Sequence, residues 1–313
     1  MKNLRTWVMA AAMLVAFNGA AFPEPSFDAD DAWGRFGIGR EAFDHPVDLA
    51  ADRDENMYIV DRGNNRIQVL DRRGRFLREW GGRGFGKGSF DSPTTIAIDR
   101  GTGVLFVLDT GNNRVQKFDL QGKYLLEFGR LGSGRGEFNK PSDLAIDRKG
   151  NLFVADLGNN RIQKFDPSGA FIEEWGRYAQ QRKGNDLDNP VSLAFSSDGF
   201  GFLYVLTGNC SVRKYDLDGL FVAAWPMLQK GEGLVCGPSR IRIEQRRYTV
   251  YIADTVNDRL VLFDRSGELL GELRKGSVPF KKPTSFFIND VFGEDVLVAD
   301  TGNNLIQKVR RRK

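Results

Sequence analysis

Histidine is almost missing from this 313-residue chain, which has only His45, and cysteine occurs only at Cys210 and Cys236. Those shortages exclude a Cys-x-x-Cys zinc framework, a Cys-x-x-Cys-His haem attachment, a histidine metal cluster and a RING domain. No metal and no cofactor is therefore expected. Charge of one sign is lacking too: 45 Lys and Arg oppose 41 Asp and Glu, and a net +4 gives no argument for nucleic acid. Long apolar runs are also scarce. The eleven residues Trp7 to Phe17 are too short to span a bilayer comfortably, and nothing later resembles a membrane span. Lys2 and Arg5 precede that run and Asn18-Gly19-Ala20-Ala21 follows it, so residues 1–21 read as a signal peptide. The mature chain, 22–313, is expected to be exported to the periplasm, the cell surface or the medium, with no membrane span and no cysteine at the cleavage point for a lipid anchor. Its net charge falls from +4 to +2 when Lys2 and Arg5 are removed.

Glycine and phenylalanine are abundant, at 36 and 24 residues. Many turns together with many apolar anchors point to β structure. The sequence also repeats itself: Pro46, Pro93, Pro141, Pro190, Pro238 and Pro283 open units at intervals of 47, 48, 49, 48 and 45 residues. Each unit carries short apolar runs separated by turns, such as Leu49-Ala50, Met57-Tyr58-Ile59-Val60, an alternating third run and Phe76-Leu77-Arg78-Glu79-Trp80. These runs predict a four-stranded antiparallel meander per unit. One meander cannot bury both of its faces, whereas six arranged radially bury each against its neighbour, which predicts an all-β, six-bladed β-propeller. The last unit stops after its third strand, Leu305 to Arg310, while Phe27 to Gly34 ends in Trp33-Gly34 like the fourth strands ending Trp80-Gly81 and Trp175-Gly176. The N-terminal strand is therefore expected to complete the last blade and close the ring.

The unit Asp61-Arg62-Gly63-Asn64-Asn65-Arg66 recurs at Asp109 to Arg114 and Asp156 to Arg161, loosely at Asp254 to Arg259, and at Asp300 to Asn304 with Leu305 in place of the arginine. It resembles the NHL repeat of six-bladed propellers across essentially the whole mature chain. In the fourth unit, Leu206-Thr207-Gly208-Asn209-Cys210-Ser211 lacks both the Asp and the Arg. The resemblance implies the fold strongly and the function weakly. Known relatives include RNA binders, protein-interaction modules, sensor domains and a metal-dependent amidating lyase. The repeated Asp, Asn and Arg read best as turn glue, with Arg reaching back to Asp, because both vanish together in the fourth unit. The lone Asp300 is an exception to that reading.

In a four-stranded blade the turn holding Cys210 and the connection holding Cys236 emerge on one face, so a Cys210–Cys236 disulfide is expected in an oxidising compartment; two separate buried thiols are the alternative. His45 reads as a loop residue, since a lone imidazole cannot supply a metal site. The aromatics, including Trp80, Phe128, Trp175 and Trp225, read as core anchors.

Two surfaces remain for a partner. The mouth of the central channel is approached by the second residue after each opening proline: Asp48, Thr95, Asp143, Ser192, Arg240 and Ser285, with Arg242 nearby. Lactonase-type propellers hold a metal in that region, although a merely solvated channel is the simpler expectation here. The other surface comprises the Gly-rich connections between units, which carry 15 Lys or Arg against 7 Asp or Glu, a surplus of eight, leaving the rest of the mature chain at −6. Arg35, Arg83, Lys87, Arg130, Arg135, Arg177 and Arg182 are its candidate contact residues, and such a field steers an acidic partner. No nucleophile with a base and an orienting group can be assembled, so no catalytic residue is assigned. The expected function is thus a non-enzymatic exported binding scaffold for another exported protein or an anionic surface polymer. A lactonase- or lyase-type enzyme with a channel-mouth metal and a small-ligand sensor are the alternatives, and the oligomeric state is left open.

Overall fold

Four short runs with opposite burial patterns set the build of each blade. In blade one, Met57–Asp61 is buried at every position, whereas Phe76–Gly81 alternates half-buried and exposed residues. The first therefore lies inside the ring and the second at its rim. The third and fourth strands are joined by an Asp-x-x-Gly turn in which one carboxylate collects two backbone N–H groups, as Asp71 does from Arg73 and Arg75. Asp119, Asp166, Asp216 and Asp264 repeat it.

The computed structural model describes residues 27–176, 187, 189–197, 201–227, 235–289 and 295–311. The proposed signal peptide, Arg177 and Arg182 lie outside the described residues. Six four-stranded antiparallel sheets are present. Their innermost strands are Pro46–Ala51, Thr95–Asp99, Asp143–Ile146, Pro190–Ser196, Pro238–Ile243 and Pro283–Ile288. The sixth sheet is closed by Phe27–Trp33 pairing antiparallel with Leu305–Arg311, as the sequence predicted.

The core is divided among the seams, with six apolar clusters that each join two neighbouring blades. Between blades one and two, for instance, Tyr58, Val60 and Val69 meet Ile96, Val107 and Phe118. The aromatic near the end of a fourth strand also lies over the Gly turn of the next blade: a Cβ on Gly122 would come within 2.7 Å of the Trp80 ring, and Gly122 has φ +89°. Phe128 covers Gly169 and Trp225 covers Gly267 in the same way. The aromatics are thus anchors of the seams rather than of single blades. Gly122→Ala combines left-handed strain with a clash, so urea unfolding is expected to show a loss of about 2 kcal/mol or more; an unchanged midpoint would contradict the lock.

Candidate functional site at the interblade loops

In a four-stranded meander the connections to the next blade leave from the same end of the ring as the turns between the second and third strands. Both sets of loops therefore share one face. In the first turn Asn65 adopts φ +54°, and Arg66 donates through Nε to Asp61 Oδ2 at 2.7 Å. Arg114–Asp109, Arg161–Asp156 and Arg259–Asp254 repeat the pair at 2.8, 2.7 and 2.9 Å. The glue reading of the sequence describes these contacts, and the structure accounts for its exception. Without an arginine opposite, Asp300 is held by the Lys281 N–H, Asn303 and Gln307 at 2.7, 2.7 and 2.5 Å. Burial pushes its carboxyl above the ordinary value against those hydrogen bonds.

The arginines do more than lock their own turns. Arg66 spreads Nη1 and Nη2 over the carbonyls of Ile38, Gly39 and Ala42, and Asn64 donates to Gly37 O. Arg114 does the same for Phe85, Gly86 and Ser89, and Arg161 for Gly134 and Glu137. Within the loops, Phe43, Phe90 and Phe138 are fully buried pegs whose N–H groups bond Arg35 O, Gly82 O and Arg130 O. These three Gly-rich connections, 34–44, 81–92 and 129–140, are consequently fixed shapes with tip carbonyls held from below.

The sequence-predicted basic residues Arg35, Arg83, Lys87, Arg130 and Arg135 are all exposed on these loops. Lys87 rests on the Tyr124 ring and Arg135 on Phe171, and Arg40, not singled out from sequence, rests on Phe76. Arg130 is partly neutralised by Glu137 at 2.8 Å. Sequence reasoning missed the apolar residues between them. Among the described residues, the five apolar side chains more than 60% exposed are Phe36, Ile38, Phe85, Leu131 and Val235, at 63–82%, and all five lie on interblade connections. Their flanking glycines, as in Gly37-Ile38-Gly39 and Gly84-Phe85-Gly86, were the available signal that these were not strand residues.

Cys210 and Cys236 form the expected disulfide on this face. Its place in the ring explains why blade four has no Asn or Asp at the left-handed turn position. At the other seams the side chain of the left-handed turn residue accepts from the N–H before the next opening proline: Asn65 from Ser92, Asn113 from Lys140, Asn160 from Asn189, Asp258 from Lys282 and Asn304 from His45. Cys210 occupies that turn position with φ +58°, so a covalent bond replaces the hydrogen bond at the seam between blades four and five. His45 is a loop residue, its ring nitrogen Nδ1 2.5 Å from Asp44 Oδ1.

The channel residues converge as predicted, but not at a solvated mouth: Asp48, Thr95, Asp143, Ser192 and Ser285 are fully buried and Arg240 nearly so. Arg240 pairs with Asp143 and lies 3.6 Å from Asp48, while Arg242 lies 3.3 Å from Asp48 and 3.6 Å from Asp143. Ser192 and Ser285 donate to Asp143 and Asp48 at 2.5 Å each. Burial alone would raise the Asp143 carboxyl; Arg240 and Arg242 overcome it and hold the group below its usual range. Two carboxylates and two guanidiniums therefore form a neutral plug across the channel. Two cations already saturate these carboxylates, and no group of three or more metal-ligating side chains occurs among the described residues. On the opposite face the channel opens into a well of about 260 Å³ lined by apolar residues such as Ala97, Ile146 and Phe287 together with Arg242 and Gln245, and a cavity of about 400 Å³ lies between blades six and one beside Trp33 and Arg100.

The chain is thus a six-bladed β-propeller with a plugged channel and one basic, apolar-tipped loop face. A family model described as a 6-bladed beta-propeller matches residues 46–127 and 102–176. Comparison with curated proteins gives no match. Among solved structures, a streptogramin B lyase is similar with TM-score 0.61 at 16% identity, covering 94% of this chain and 90% of that one. A catalytically inactive virginiamycin B lyase from Staphylococcus aureus with quinupristin gives 0.60 at 15%, covering 85% and 83%. Kuenenia stuttgartiensis hydrazine synthase gives 0.62 at 14%, covering 88% and 97%. At these identities the likeness concerns the fold alone.

Proposed function

We propose that the protein is a non-enzymatic NHL-type binding module, exported and oxidised, whose interblade loop face engages an anionic partner. The observation that carries this reading is the set of pre-shaped loops that hold Arg35, Arg83, Lys87 and Arg135 exposed around one face. A rigid loop loses little entropy on binding, so a modest surplus of charge is used efficiently. Export is supported by the Cys210–Cys236 disulfide and the leader-like residues 1–21, and among the described residues no helix is long and apolar enough to cross a membrane. A channel-mouth metal enzyme is disfavoured by the buried ion-paired state of Asp48 and Asp143. Small-ligand sensing is kept as a second reading because of the 400 Å³ cavity, and a thermal shift with a metabolite would support it.

The direct test is binding to poly-glutamate, a soluble polyanion, measured against ionic strength. The protein is expected to bind with a strong salt dependence, and the variant Arg35→Glu, Arg83→Glu, Lys87→Glu, Arg135→Glu to lose at least about ten-fold in affinity while unfolding at an unchanged temperature. Equal binding by both proteins would remove the loop face from consideration.

A further inference from the structure

We propose that the loop face docks on an anionic lipid bilayer, with Phe36, Ile38, Phe85 and Leu131 entering the interface and the neighbouring arginines and lysines meeting the lipid phosphates. This deepens the anionic-partner reading and rests on it. Basic and apolar residues are interleaved along each connection: Arg35-Phe36 and Ile38 to Arg40 in one, Arg83 to Phe85 to Lys87 in the next, Arg130-Leu131 and Arg135 in the third. Phe36, Ile38, Phe85 and Leu131 are the most exposed large apolar side chains among the described residues, and their basic surround selects a negatively charged apolar phase.

Two features favour a bilayer over an acidic protein. The apolar tips stand on separate blades, one or two to a loop, so a protein partner would need a matching socket for each one. A lipid surface accepts each independently. Four carbonyls at the tips are also prepared for loss of water. The carbonyls of Ile38 and Gly39, like those of Phe85 and Gly86, take their hydrogen bonds from Arg66 or Arg114, which Asp61 or Asp109 neutralises beneath. A tip entering a low-dielectric layer therefore strands none of those four groups. A second copy docked face to face is a poor occupant, because the face would meet its own surplus of positive charge.

The test uses the purified protein with two kinds of vesicle, phosphatidylcholine alone and phosphatidylcholine mixed with phosphatidylglycerol, alongside poly-glutamate. Sedimentation with the mixed vesicles only is expected. Ile38→Ser, Phe85→Ser, Leu131→Ser combined should weaken vesicle binding about ten-fold or more and leave poly-glutamate binding unchanged. These side chains are exposed, so the variant's circular dichroism and melting temperature should match those of the parent. A Phe85→Trp variant should add blue-shifted fluorescence on the mixed vesicles, quenched by brominated lipid. Vesicle binding that is equal in the serine variant, with no blue shift, would overturn insertion in favour of simple adsorption. Absent vesicle binding with intact poly-glutamate binding would overturn the bilayer and leave an acidic protein or polymer as the partner; loss of both would overturn the anionic-partner reading as well.

Discussion

Arg240→Met is expected to lower the unfolding free energy by about 3–5 kcal/mol, among the largest effects of any single substitution in this chain. Asp48 and Asp143 are fully buried, and removing one of the two guanidiniums they share leaves an uncompensated negative charge in the middle of the ring. Urea unfolding measures the loss. The double variant Arg240→Met, Asp143→Asn restores neutrality and should recover a substantial part of it, so that a cycle of the four proteins isolates the pairing. A single-variant loss below about 1 kcal/mol would mean that the plug relaxes by admitting water. The pH dependence has a definite sign. The Asp143 carboxyl is held below its ordinary value in the folded protein, so its contribution is complete above the unfolded value of about 3.9 and is lost as pH falls through the lower folded one. The gap between parent and Arg240→Met should be widest near neutrality and close below about pH 4. Asp300 works in the opposite sense. Its carboxyl is raised in the folded state, so protonation there favours folding as pH falls through the raised value.

The second large effect is expected at the seam between blades four and five. The Cys210–Cys236 bond spans 26 residues of sequence, and loss of a cross-link of that length costs about 3 kcal/mol in the chain-entropy view. Cys210→Ser with Cys236→Ser should show that loss in urea, with amide exchange accelerated first in Ser211–Tyr215 and Pro238–Ile243, the strands flanking the seam. Cys210→Asn with Cys236→Ser offers a sharper test. Asparagine at that left-handed position would return the hydrogen-bonded staple used by the other seams, so part of the stability should come back. Two double variants as stable as the parent would show that the covalent staple is redundant.

Much of this architecture could be read from residue spacing. The six prolines marked the innermost strands, the terminal Trp33-Gly34 announced the closing strand, and the joint loss of Asp and Arg in blade four pointed to their mutual pairing. Properties that depend on distances across the ring were less legible. The sequence placed Asp48, Asp143 and Arg240 at one register, yet Arg240 sits 97 residues from Asp143, and nothing local shows that its guanidinium reaches across to plug the channel. The apolar tips were hidden for a different reason. Phenylalanine is so often a core residue that Phe36 and Phe85 merged with Phe43 and Phe90, although the first pair points to solvent and the second is fully buried. Only the flanking glycines distinguished them.

The ring closure has a mechanical consequence. Phe27 faces Arg311 and Trp33 faces Ile306, so both ends of the chain leave the closing pair from the same side of the ladder. Tension applied between those ends would break its hydrogen bonds one after another, like a zipper, instead of loading them together in shear. A ring joined by six apolar seams is thus opened from its ends by peeling one strand.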